Sequence, residues 1–325
     1  MMQRARQQIW IGLTLVMLIS GCAGYKKPER QILSAKQETT LLEAVKPIQK
    51  QVDQQQTQEA KAALKQLKHD YPGIARYDLK SFSKAELALS RKKRAKAAKH
   101  YKKIIENYPD SALYNPSMER IFGIGRYYLK GPVVFRLLFM KIKGYDRGIK
   151  LLELVSDELG IDDPNGMGLE AMLLSARNLQ QRHQYEDAFL KWLEISTVWE
   201  SGPAGQEALL HMAECQYASY QHEPAHRRPL FDSSRLEESR TYYQRYVSLY
   251  PEDAEEKEIP DLIAELEEQL ALKQLTIARF YQRTGESTAA HLYFKRVVND
   301  WPETDAAEAA REQLEKITPS DSTKG

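Results

Sequence analysis

The residues with the clearest chemical potential lie late in the chain, where His222-Glu223-Pro224-Ala225-His226 spells H-E-x-x-H. In zinc peptidases that spacing puts two histidines one helical turn apart, with the glutamate as general base. The pairing needs uninterrupted helix. Pro224 between the histidines, followed by Arg227, Arg228 and Pro229, indicates a polar loop instead. A periplasmic zinc hydrolase therefore stands only as a remote alternative, and no metal site is expected. Cys215 sits among the small and apolar residues of Ala208 to Tyr217, the setting of a buried, inert thiol. No serine, histidine and acid arrangement and no glycine-rich phosphate loop is recognisable, so neither catalysis nor a cofactor is expected.

The other cysteine, Cys22, has a more specific setting. Arg4 and Arg6 stand in an acid-free stretch, and Ile9 to Ile19 form an almost unbroken apolar run ending in Ser20 and Gly21. This is the layout of an export signal, and the run is about half the ~20 residues that cross a bilayer core. Ile19-Ser20-Gly21-Cys22 resembles the lipobox of bacterial lipoprotein precursors. The resemblance implies that residues 1–21 are a signal peptide cut before Cys22, and that Cys22 is then acylated. Several acyl chains at ~0.8 kcal/mol per methylene give lasting attachment. An ordinary secretory signal with a cysteine near its cut is the alternative. Ala23, where aspartate is associated with inner-membrane retention, implies an outer-membrane, lipid-anchored, periplasm-facing protein.

The chain's 47 basic and 45 acidic residues leave a net charge of +2, so no global field points to nucleic acid. With Cys22 acylated, Cys215 has no cysteine to pair with. Residues 22–55, rich in Lys, Gln and Glu, read as a lipidated tether followed by a polar helix of doubtful packing. From residue 56 to 317 the pattern is helix-length segments punctuated by prolines, which predicts an all-α domain. Residues 318–325 read as a disordered tail.

Self-similarity is the strongest signal. Ala278, Tyr281, Gly285, Ala290, Phe294 and Pro302 define a spacing that Ala85, Ala88, Lys92, Ala97, Tyr101 and Pro109 repeat. Ala176, Leu179, His183, Ala188, Trp192 and Glu200 repeat it again without the proline. Ala60, Leu64, Pro72 and Ser239, Tyr243, Pro251 keep only its second half. Tyr71, Tyr108, Tyr250 and Trp301 precede the four prolines. Small residues let two antiparallel helices approach, the following aromatic fills the groove, and the proline stops one hairpin before the next. A lone hairpin leaves an apolar face wet, so such units stack. These positions resemble the tetratricopeptide consensus. The expected fold is a tetratricopeptide-like helical-hairpin solenoid of about five repeats, interrupted between Lys130 and Asp146 and between Gln221 and Arg235.

A narrower likeness covers Tyr242 to Ile317. There Y-Y-Q-R-Y-V-S-L-Y-P, a long charged helix ending I-A-R-F-Y-Q-R-T-G, and Y-F-K-R-V-V-N-D-W-P-E-T resemble the C-terminal repeats of the YfiO (BamD) family of outer-membrane assembly lipoproteins. The resemblance implies a protein-binding scaffold that works with a barrel-forming partner to insert β-barrel proteins. The C-terminal repeats, including the turn Arg283 to Glu286, are expected to carry the main partner contact. A repeat lipoprotein coordinating cell-wall or envelope machinery is the alternative function.

Two further stretches stand out. Arg91-Lys92-Lys93-Arg94 falls at an inter-helix turn and reads first as solvated, with an anionic membrane or partner as the functional alternative. Gly131 to Gly144 carries Phe135 and Phe139 in an apolar, basic-edged insert. It reads as a short helix folded over the core, or as a partner or membrane contact.

Overall fold

The computed structural model describes residues 30–137, 140–222 and 232–316, and of residues 135–137 and 140–141 the backbone alone. Helices dominate, as a tetratricopeptide-like solenoid requires. In chain order they are α1 (Ala35–Asp53), α2 (Thr57–Asp70), α3 (Asp78–Ser90), α4 (Arg94–Asn107) and α5 (Tyr114–Leu129). After two strands, β1 (Val133–Leu137) and β2 (Met140–Lys143), come α6 (Tyr145–Leu159), α7 (Met167–Gln181), α8 (Tyr185–Val198) and α9 (Gly202–Gln221). The last five are α10 (Ser234–Leu249), α11 (Pro251–Glu256), α12 (Ile259–Arg283), α13 (Ser287–Asp300) and α14 (Asp305–Lys316). The chain divides into two compact units, residues 1–120 and 121–325.

The expected polar helix of doubtful packing is a correction. A Ser34–Gln37 capping box starts α1, and Leu41, Val45, Ile48 and Val52 are buried at helical spacing, so α1 pairs with α2 as a first hairpin. α3 with α4, α7 with α8, α9 with α10 and α12 with α13 are further hairpins of the same kind. α5 and α6 approach where a Cβ on Gly148 would lie 3.0 Å from the Gly125 carbonyl oxygen. The hairpins thus number six among the described residues, against an expectation of about five.

Four of the inter-helix turns share one backbone device. Gln55, Lys92, His183 and Gly285 all take positive φ, at 63°, 58°, 59° and 82°. The N–H of the next residue then donates to the carbonyl five positions back, as in Lys93 to Ala88 (2.8 Å), Gln184 to Leu179 (3.0 Å) and Glu286 to Tyr281 (2.9 Å). That is the Schellman ending, which satisfies orphan carbonyls and reverses the chain. The two expected inserts occupy the remaining turns, of the α5–α6 and α9–α10 hairpins.

Each second helix repeats one burial pattern. Ala97, Tyr101 and Ile104 in α4 correspond to Ala188, Trp192 and Ile195 in α8, and to Ala290, Phe294 and Val297 in α13, all fully buried. Side chains of this size stabilise by roughly 1.5–3 kcal/mol each when withdrawn from water. The residue after the helix is aromatic in five hairpins, Tyr71, Tyr108, Trp199, Tyr250 and Trp301, and its N–H caps the carbonyl four residues earlier. The prolines that follow, Pro109, Pro251 and Pro302, are exposed, so they end helices and fill no groove.

The insert expected as a short helix is an antiparallel β-hairpin. Leu137 pairs with Met140, Arg136 with Lys141 and Phe135 with Ile142, with an irregularity between Val133 and Phe135. Val133, Val134 and Phe135 are β-branched or aromatic, and the run is too short for helix nucleation to win.

Candidate protein interface

The last hairpin, α12 with α13, presents the most chemically distinct exposed surface. Its inner side is apolar, with Leu266, Leu270, Leu275 and Ala278 on α12 buried in the same core cluster as Ala290, Phe294 and Val297 of α13. At the turn, Arg283 and Glu286 are exposed and make no ion pair among the described residues. Gly285 between them has open space where a Cβ would be, so its left-handed φ is the reason glycine suits that position. Beside the turn, Phe280 is 52% exposed and meets the Tyr281 ring edge-on at 5.6 Å. Tyr281 in turn stacks on Tyr293 at 5.3 Å and 15°. Leu292, also on α13, is 66% exposed. Rigid aromatics beside a free arginine are the composition of a binding hot spot, and a lone exposed leucine would carry no such meaning.

A second surface lies between the first helices of two successive hairpins, α5 and α7. Arg126, Tyr127, Lys130, Arg177, Asn178 and Gln181 border an open groove of about 510 Å³. Arg177 is occupied by Glu207 through two bonds of 2.5 and 2.6 Å. Arg126 lies 3.8 Å from Glu170. The Asn178 amide donates to the Leu129 carbonyl at 3.3 Å while its own oxygen has no partner.

A polar web ties α7, α8 and α9 together. The Trp192 indole donates to Gln180 at 2.9 Å and stacks on His211 at 4.6 Å. Glu214 accepts from Gln180 at 2.8 Å and lies 2.6 Å from His211 Nδ1. The Trp192 and Gln180 polar atoms all have partners in it, and such a network positions helices without needing to react.

In the 1–120 unit the notable chemistry is internal. The Glu86 carboxylate is fully buried and receives Arg120 Nε and Nη2 at 3.1 Å each and the Tyr101 hydroxyl at 2.7 Å. Arg120 also reaches Asp53 at 2.6 Å. Burial pushes the Glu86 carboxyl above its ordinary range, and Arg120 and Tyr101 pull against that shift. Nearby, Asp78 is 1% exposed and accepts from Arg30 at 2.9 Å and from Ser111 at 2.7 Å. The sequence reading missed both clusters, and the signal it passed over is an acid at an otherwise apolar helical position.

Cys215 is 1% exposed, and burial pushes its thiol up to about 12, so no thiolate forms near neutrality. His222 is exposed at the end of α9, while residues 223–226 lie outside the described residues. Among the described residues no three His, Cys, Asp or Glu side chains gather as metal ligands. Cys22 and Phe139 also lie outside the described residues, and Phe135 is placed by its backbone alone.

Stacked helical hairpins with Schellman turns, small contacts and aromatic caps define a tetratricopeptide-repeat protein, and residues 51–73 and 82–111 match that repeat. Residues 209–318 match the family described as outer membrane lipoprotein, YfiO, and lie behind the tetratricopeptide matches in the chain. That match begins inside α9, a full helix ahead of the motifs that first suggested it, and takes in the whole α12–α13 hairpin. No curated protein matches the chain.

Proposed function

We propose that this chain is a lipid-anchored, periplasm-facing outer-membrane scaffold that helps assemble β-barrel proteins and performs no chemistry of its own. Cys22 carries the acyl chains, and the α12–α13 hairpin makes the main partner contact through Phe280, Arg283 and Glu286. The observation that supports this most is the YfiO match over residues 209–318, which includes the aromatic ledge. A buried thiol and satisfied polar networks fit a scaffold better than an enzyme.

Extraction of the full chain in gentle detergent should recover a barrel-type membrane protein, and Phe280→Glu with Arg283→Glu should lower that recovery at least tenfold, since hot-spot residues each contribute ~2 kcal/mol or more. Both side chains are exposed, so the fold should survive. Depletion should reduce outer-membrane barrels. Normal barrel levels with a disturbed cell wall would instead favour an envelope-coordinating scaffold.

A further inference from the structure

The α3–α4 hairpin is charged in a way that the scaffold role does not use. Residues 78–107 hold ten lysines and arginines against three acids, in a chain of 47 and 45, so the rest of the chain is net acidic. Two of the three acids, Asp78 and Glu86, point inward and are consumed by Arg30 and Arg120. The third, Glu106, is paired with Lys102 at 3.5 Å. What faces outward is therefore basic. Lys84, Arg91, Lys93, Lys96 and His100 surround one open groove of about 410 Å³ floored by Leu87 and Ala88. None of the five makes an ion pair among the described residues. Lys80 and Lys68 extend the same field, and Lys68 feels both Lys80 and Lys84. His100 is depressed by burial and then by Lys84, Lys103, Lys96 and Lys99, an independent sign that these cations converge without a counter-charge.

We propose that this face docks on the anionic phospholipid headgroups of the membrane that holds the chain, so that the 1–120 unit lies against the bilayer. The proposal takes its address from the lipid-anchored reading above. Composition selects the occupant. Protein interfaces are depleted in lysine and anchored by aromatics and arginine, whereas this rim is mostly lysine and has no exposed aromatic. Single-stranded nucleic acid would require aromatic stacking partners, and the periplasm-facing address of the lipid-anchored reading offers no duplex. Lysines on flexible stems over a short apolar floor suit a diffuse anionic surface, where each contributes without fixed geometry. The reach also fits, because Cys22 lies thirteen residues before the start of α1, a span of at most ~45 Å.

The test reconstitutes the full chain, with its N-terminal segment, into vesicles of phosphatidylcholine alone and of phosphatidylcholine with phosphatidylglycerol. Amine-reactive labelling read by mass spectrometry should show Lys84 and Lys96 protected several-fold in the anionic vesicles alone, with Lys295 and Lys316 unchanged, and high salt should remove the protection. Equal labelling in both vesicles overturns the proposal. So does protection that appears in neutral vesicles once the co-purifying protein is added, which would identify an acidic protein as occupant. In flotation, Lys84→Glu with Lys96→Glu should weaken the preference for anionic vesicles by roughly fivefold per charge neutralised. Both positions are exposed, and an unchanged thermal melt would show the fold intact. Failure to float with neutral vesicles would refute the anchor separately, because flotation with anionic vesicles still reports the basic face.

Discussion

The α3–α4 and α12–α13 hairpins use one backbone plan and opposite electrostatics. Both turn through a left-handed residue, and both bury an alanine and an aromatic at the same spacing on the second helix. Yet the buried carboxylates among the described residues, Asp78 and Glu86, both belong to α3. α12–α13 has apolar residues at its core and carries five basic against six acidic residues along residues 259–300. The difference teaches that the repeat motif dictates shape and leaves charge free. Where acids are drawn inward, the outer face turns basic; where the core is apolar, the outer face can be mixed and carry exposed aromatics.

The most forceful way to break the contrast is Arg120→Met, which leaves Glu86 buried without its cation and should cost about 3–5 kcal/mol by urea unfolding at neutral pH. The cost should depend on pH. Glu86 is already raised above the unfolded carboxyl, and losing Arg120 raises it further. A raised carboxyl gives stability that is full below the unfolded value of about 4.3 and is lost as pH rises through the folded one. Stability should therefore recover on acidification, and a pH-independent loss would mean that the ion pair is not the cause.

In the last hairpin the corresponding insult is steric. Ala290→Leu crowds a fully buried small contact and should cost roughly 1–3 kcal/mol. Because no buried charge is involved, this loss should be nearly flat between pH 5 and 8 on the same assay.

The smallest effect separates the turns. Lys92 holds a left-handed φ that glycine adopts freely, so Lys92→Gly should gain up to about 1 kcal/mol, and Gly285→Lys should lose a similar amount. Thermal melts of the pair should move in opposite directions by a few degrees.

What the sequence showed and hid follows from physics. Ala85, Ala97, Tyr101, Ala176, Trp192 and Phe294 announced the hairpins because close helix contact needs small residues at helical spacing. The α5–α6 hairpin escaped notice since Gly125, Gly148 and Leu152 do the same work with different side chains. Trp199 was passed over because the proline after it is missing. α1 looked polar since its four buried residues are diluted by Gln, Glu and Lys, although their spacing is helical. The β-hairpin was hidden by a run too brief to show a period. The partners of Asp78 and Glu86 could not be read at all, as Arg30 and Arg120 lie far away along the chain. Of the candidate interface, Arg283 and Glu286 were marked by the turn, whereas the Tyr281–Tyr293 stack needed three dimensions.

Both long insertions fall at positions where other hairpins turn within a few residues. Lengthening a closed loop raises its entropy cost only with the logarithm of its length, so these junctions are places where new sequence can be spliced in while the stacked helices stay undisturbed. An array built this way can acquire a new docking module by swapping one connector, and leave its framework unchanged.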